Sequence, residues 1–372
     1  MMRTLSFLLA LLSTFACSRT PEPVRAELDV GELLSAAADP RFERASEPRE
    51  FVFPLDHGPH PTFQTEWWYF TGTLADASGG EYGYQLTFFR RALAPEAPRL
   101  DSNWASHEFY MAHFTLSAAR GQRFEARERF ERGALGLAGA RSEPWSVWLR
   151  DWRVEGDLDG GDVRLVARDG DLALDLTLRA TRPVLLQGER GLSRKGAEPG
   201  NASFYYSIPR LDSRGTLELE GERFGVTGES WFDREWSTSA LEPGQVGWDW
   251  FALRFDDGCD LMLYVMRRDD GSLDPFNSGT FAQPGAAPRK LARDDFTITP
   301  TARWTSPASG ATYPSAWRIT IPSLALECEL EPLVSDCELA ISVRYWEGAV
   351  RASGTRGGVQ LSGRGFVELT GY

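Results

Sequence analysis

Between Gly228 and Phe251 the chain reads GESWFDREWSTSALEPGQVGWDWF, interleaving four tryptophans with carboxylates in twenty-four residues. Tryptophan usually fills a core or lines an apolar cavity, and a carboxylate in such company is either paired or functional. On a strand, residues two apart share a face. Glu229, Trp231 and Asp233 then share one side, with Ser230 and Phe232 on the other. In an earlier stretch, EWWYFTGTL, Glu66, Trp68 and Phe70 share a face, and Asp249 shares one with Phe251. Burial among rings raises a carboxyl pKa, so that the group can act as a general acid near neutral pH. The competing arrangement is an ion pair with Arg90, Arg234 or Arg267, which makes the acid structural. Asp233, Asp249 and Glu66 are the candidate acids.

His113, in FYMAHFTL, lies between apolar residues on a predicted strand and would be a credible proton shuttle or water-positioning group if it faced a cavity. His57 and His60, in the loop LDHGPHPTF, read as exposed. Tyr205, Tyr206 and Ser207, in FYYSIPRL, supply hydroxyls. Trp67, Trp68, Trp231, Trp236, Trp248 and Trp250 would wall a binding cavity, with Glu229, Arg234 and Tyr206 as its polar points. No GxSxG elbow or Ser/His/Asp arrangement supports a hydrolase. There is no P-loop and no GxGxxG, so no cofactor is expected, and no cysteine has metal-ligand spacing.

The elements that must position these residues are strands. The 372 residues are 42% hydrophobic and 25% charged, enough for one large or two medium domains. A net charge of -13 without a basic cluster argues against a nucleic-acid partner. Arg3 precedes an apolar run, LSFLLALLSTFA, that is too short to span a membrane and reads as a secretory signal over residues 1–17. Cys17 after Ala16 suggests lipid attachment after cleavage, and Ser18 fits delivery to the outer membrane. Thr14 and Phe15 depart from a strict lipobox, which leaves a soluble secreted product as the alternative. Membrane contact is expected only through that anchor. Residues 18–47 read as a tether with no strand pattern. Cys328 and Cys337 flank the loop CELEPLVSDC, where an exported chain would allow a disulfide, and Cys259 reads as unpaired.

The chain repeats itself. EWWYFTGTLADASGGEYGYQLTFFRR (Glu66 to Arg91) resembles GWDWFALRFDDGCDLMLYVMRR (Gly247 to Arg268), with Tyr69 matching Trp250 and Phe70 matching Phe251. GTLELEGERFGVTGESWFD (Gly215 to Asp233) resembles GAVRASGTRGGVQLSGRGFVE (Gly348 to Glu368), with Trp231 matching Phe366 and Asp233 matching Glu368. Opening and closing strands both recur, so each half should be a complete antiparallel unit. The expected fold is all-β, two tandem antiparallel barrels over 48–240 and 241–372, with the tryptophan-rich stretch at their junction.

At these residues the chain resembles the AttH / carotenoid 1,2-hydratase family of lipocalin-like, two-barrel proteins. The similar stretches are EWWYFTGTL, YGYQLTFFR, MAHFTLS, FYYSIPRL, GESWFDREW, GWDWFALRFDDGCDLMLY, YWEG and GRGFVELTGY, from about Phe51 to Tyr372. The resemblance implies a cofactor-free hydratase adding water across an isoprenoid double bond. A buried acid would protonate the alkene, and tryptophan faces would hold the cation. In the carotenoid hydratases the closing-strand motif tends to carry His-x-Trp. The matching positions here are Arg234 and Trp236, and arginine cannot release a proton. The second reading is a non-catalytic, lipocalin-like periplasmic carrier of a lipophilic small molecule, with its acids locked in salt bridges.

Overall fold

Period-two alternation through both halves resolves into two antiparallel sheets in the computed structural model, which describes residues 28–29, 39–96, 102–238 and 241–372. The first sheet runs, neighbour to neighbour, through Arg123–Arg132, Glu108–Ala118, Glu81–Ala92, the opening strand Thr65–Asp76, the closing strand Glu222–Ser237, Ala202–Leu219, Leu172–Ala180, Val163–Asp169 and three shorter strands. The second runs through Arg289–Ala292, Ser278–Ala282, Asp260–Arg268, its opening strand Gln245–Phe255, its closing strand Val359–Thr370, Val343–Arg356, Leu326–Pro332, Thr312–Ile321 and Thr297–Thr305. In each path the opening strand is fourth and the closing strand fifth. The sequence repeat is thus a repeat of topology. Both sheets curl in lipocalin-like fashion, one into a nearly closed barrel and the other into a half-barrel.

Repeat-matched residues occupy matched ladder positions. Tyr69 lies opposite Asp233 in the first sheet, and Trp250 lies opposite Glu368 in the second. Alternation then sorts the aromatic residues into three layers. Trp68, Phe70, Phe232 and Trp236 fill the interior of the first sheet, and Phe251, Phe255, Trp317 and Trp346 that of the second. Tyr69, Tyr205, Trp231, Trp250, Tyr264 and Phe366 form a third cluster where the two sheets press together. Each fully buried large apolar side chain contributes roughly 1.5–3 kcal/mol. Gly83 permits the close approach at this seam, since a Cβ there would come within 2.7 Å of the Ala349 Cβ.

Three expectations change. His57 is buried and His60 nearly so, because their loop covers the first sheet's interior, where the indoles of Trp68 and Trp145 need an acceptor. Both donate to the His57 carbonyl, at 2.8 and 2.7 Å. The segment read as a tether is packed at its end, with Phe42 and Ala45 buried, and Leu28–Asp29 pairs in parallel with Val343–Arg344. Cys328 and Cys337 are both buried free thiols, and the Cys337 Sγ–H donates to the Val334 carbonyl instead of forming a disulfide. Cys17 and the signal segment lie outside the described residues. Protein unfolded in denaturant without reductant should therefore take one alkylating group at each of Cys259, Cys328 and Cys337. Mass spectrometry of the tryptic peptides reads this directly, and a Cys328–Cys337 cross-linked peptide would contradict it.

Candidate active site

Two rows of side chains face each other across the seam. In the first sheet, cross-strand neighbours give the row Ser207, Asp233, Tyr69, Thr87, His113 and Glu128. In the second, the corresponding row is Glu347, Glu368, Trp250 and Tyr264. The Tyr69 hydroxyl donates to Glu347, and its ring stands edge-on to Trp250 at 5.2 Å. Trp231 meets Trp250 at 6.4 Å, also edge to face, and the Trp250 indole N–H donates to the Tyr205 hydroxyl at 3.1 Å. His113 Nδ1 lies 2.7 Å from the Tyr345 hydroxyl. Carboxyl groups, phenols and indoles thus alternate in one buried layer.

Asp233 is 3% exposed at the centre of this layer. Its Oδ1 accepts from the Ser207 hydroxyl at 2.5 Å and from the Trp231 indole at 2.7 Å, and its Oδ2 accepts from the Tyr205 hydroxyl at 2.7 Å. All three partners are neutral. Burial drives the pKa up, and the three hydrogen bonds only partly oppose it, leaving Asp233 at about 7. A carboxyl group that carries its proton near neutrality among indole faces is what acid catalysis on an alkene or alcohol requires. Across the seam, Glu347 is raised well above the usual carboxylate range by burial and then by the charge of Glu368, which the hydroxyls of Tyr69 and Tyr345 only partly offset. Burial holds the His113 imidazole down at about 3, so it is neutral. Trp248 donates from its indole to Glu368 at 2.6 Å, and Trp248 and Trp67 lie half-buried at the edge of the cluster. Among the described residues, no group of three or more His, Cys, Asp or Glu side chains is placed to hold a metal ion.

The other predicted site residues lie elsewhere. Glu66, Trp68, Tyr206, Arg234 and Trp236 point into the first sheet's interior, on the opposite face from Asp233. There the Glu66 carboxylate takes Arg234, Arg90 at 3.0 Å and the His60 backbone N–H at 3.0 Å. Burial alone would raise this carboxyl, but the two guanidiniums and His60 outweigh it and hold Glu66 far below the ordinary range. The Arg234 guanidinium also lies 4.0 Å from the Trp68 ring centre, and Tyr206 bonds His57 at 2.5 Å. Asp249 faces the second sheet's interior side, 13% exposed, paired with Arg267 at 2.9 Å and with the Tyr372 hydroxyl at 3.0 Å. Glu229 shares Asp233's face but sits at the seam's far end, paired with Arg210 at 3.2 Å. By its contacts the ion-paired alternative describes Glu66 and Asp249, and not Asp233, although burial still raises the Asp249 carboxyl against the pull of Arg267 and Tyr372.

Sequence reasoning missed Glu347, Glu368, Tyr69 and Tyr345, and favoured Tyr206 over its neighbour Tyr205. A signal was available: Glu368 is the repeat counterpart of Asp233, and Glu347 lies within the YWEG motif.

Two curled antiparallel sheets with an acid-bearing aromatic seam define a lipocalin-like two-sheet protein. Residues 44–372 match the AttH-like family, and the chain belongs to it. An AttH from Nitrosomonas europaea of known structure is 34% identical, with a TM-score of 0.77 over 91% of this chain and 99% of its own. Dehydratase asqC of Emericella nidulans is 24% identical over 217 residues, 56% of this chain and 60% of that protein. Kievitone hydratase of Fusarium solani subsp. phaseoli is 24% identical over 222 residues, 55% of this chain and 59% of that protein. The chain thus spans about 60% of the length of these two curated relatives. The structure of kievitone hydratase from Nectria haematococca shares the fold, with a TM-score of 0.66 at 16% identity over 88% of this chain and 97% of its own.

Two outcomes follow for stability. Asp233 binds its proton more tightly folded, at about 7, than unfolded, at 3.8. Its stabilising contribution is therefore complete below about pH 3.8 and is lost as pH rises through about 7. Urea unfolding of the unmodified protein and of Asp233→Asn across that window should differ in pH slope by this contribution; identical slopes would contradict the assignment. Glu66→Gln leaves Arg234 and Arg90 buried with less compensation and should cost about 3–5 kcal/mol of unfolding free energy.

Proposed function

We propose that this protein is a cofactor-free, hydratase-type lyase for a hydrophobic, isoprenoid-like substrate bound at the seam, with Asp233 as the general acid. The observation that carries this reading is a buried aspartic acid at about 7, held by three neutral donors against Trp231 and Trp250. Hydration and dehydration are one reaction in two directions, and relatives bear both names: kievitone hydratase and dehydratase asqC. Asp233 gives its proton to one alkene carbon, and the neighbouring carbon becomes cationic. The π-faces of Trp231 and Trp250 stabilise that charge by roughly 0.5–2 kcal/mol each. Water adds to the cation and loses a proton to Glu368; Glu368 then releases that proton to solvent and Asp233 takes one up, which restores both acids. Arg234 takes no part, since it is committed to Glu66 on the other face. We also place the protein outside the cytoplasm, anchored through a lipid on Cys17.

A second reading, a carrier of a lipophile, is favoured by one observation: Glu66 and Asp249 are closed into pairs with arginines. Incubation with acyclic carotenoids and with kievitone in ¹⁸O-labelled water, followed by mass spectrometry, separates the two. The enzyme reading expects ¹⁸O incorporation that falls at least about a hundredfold in Asp233→Asn and stays within about threefold in Asp249→Asn. Retained turnover in Asp233→Asn removes the mechanism, whereas a co-purifying lipophile that is never converted supports the carrier. Cys17→Ser should move the protein from the membrane fraction to the soluble one, and unchanged membrane association would count against the anchor.

A further inference from the structure

Among the described residues, four polar groups on the seam face have no hydrogen-bond partner for one of their atoms: Thr71 Oγ1, Gln85 Oε1, His113 Nε2 and Glu347 Oε2. All four residues are at most 1% exposed. Thr71 and Gln85 are cross-strand neighbours, and the row beside them carries Tyr69, Thr87 and His113. From the other sheet, Glu347 accepts from Tyr69 through Oε1, while Tyr345, two residues earlier, lies 2.7 Å from His113 Nδ1 and 3.3 Å from Gln85 Nε2. The Gln85 amide also donates to Thr87 at 2.7 Å. Turning that amide over only exchanges which end is left over. The unpartnered atoms therefore gather round two tyrosine hydroxyls. A buried donor or acceptor left unmet is costly, and native interiors rarely tolerate several together.

We propose that Glu347, Tyr345, His113 and Gln85 form a subsite for a hydroxyl oxygen of the ligand, so that the molecule bound at the seam is an oxygenated lipophile, an alcohol or phenol, and not a hydrocarbon. The inference rests on the seam being the ligand site. Its chemistry follows from charge. Burial and the charge of Glu368 favour the protonated form of Glu347, which can donate through Oε2, and the neutral His113 and the Gln85 amide supply an acceptor. A hydroxyl group can accept from Glu347 and at the same time donate to His113 Nε2 or Gln85 Oε1, so it meets a donor and an acceptor together. A carboxylate or phosphate does not, because none of the four groups carries a positive charge. An ammonium fits less well, because burial and the charge of Glu368 press Glu347 toward its uncharged form. Phe89, 5.3 Å from His113 and 6.5 Å from Trp67, supplies the apolar flank toward the half-buried rim.

The test uses two probes of equal shape, 2-naphthol and 2-methylnaphthalene, titrated onto the full chain and followed by tryptophan fluorescence. The unmodified protein should bind 2-naphthol at least about tenfold more tightly. The preference should fall below about threefold in Glu347→Leu and survive in Glu347→Gln, whose amide still accepts from Tyr69 and donates N–H. Equal affinities in the unmodified protein, failure of both probes to bind, or a full preference in Glu347→Leu would overturn the subsite. The comparison in the unmodified protein decides the matter even where the leucine variant fails to fold. Asp233→Asn should keep the hydroxyl preference. A protein that discriminates the probes but incorporates no ¹⁸O retains the subsite and loses the enzyme reading, so the two failures are distinguishable.

Discussion

Opening and closing strands of the first half lie side by side with Trp68 opposite Arg234 and Tyr69 opposite Asp233. A slip of one residue would exchange the two sets, sending Asp233 into the sheet interior and Arg234 into the seam. The interior aromatic residues Phe70 and Phe232, stacked at 4.5 Å, hold the register, because shifting either strand would turn a ring out of the core. The second sheet repeats the pairing with Trp250 opposite Glu368, so Asp233 and Glu368 each arrive on a closing strand already facing the other sheet.

Burial treats the two faces differently. Inside the first sheet, Glu66 keeps its charge because Arg234 and Arg90 converge on it, and the ensemble is sealed by His60, stacked 3.7 Å over Trp236. That arrangement is stable only as a unit, since removing one partner strands the others away from water. At the seam, no guanidinium among the described residues bonds to Asp233; its partners are a serine, a tyrosine and an indole. Desolvation without a counter-charge leaves the proton as the way to neutrality, which is why a carboxyl group is a structural anion on one face and an acid on the other.

Much of this was legible in the chain. Alternation placed Asp233 with Trp231 and away from Phe232, and the repeat located the junction between the halves. Arginine partners for Glu66 and Asp249 could also be named in advance, because Arg90 and Arg267 recur at matching points of the two hairpins and Arg234 stands in the same acid-rich stretch as Asp233. Periodicity could not say which of the two faces becomes the interior and which the seam, since both carry tryptophan. For that reason Trp68, Trp236 and Tyr206 were grouped with Trp231 and Trp250, from which the thickness of the sheet divides them. The loop LDHGPHPTF looked solvent-facing because it is polar, and its role as a cover emerges only from the indoles it satisfies.

The sequence by itself determined the all-β class, the doubled topology and the pairing of each acid's face with its aromatic neighbours, because these follow from local alternation and internal likeness. Only the tertiary structure decided that Glu347, more than a hundred residues beyond Asp233, meets Tyr69, and that His113 meets Tyr345. Those contacts come from two sheets pressing outer face to outer face, with Gly83 giving room for Ala349. No pattern within a single strand encodes where a second sheet will lie, so the charge state of the acids, which depends on what that sheet excludes, became readable only in three dimensions.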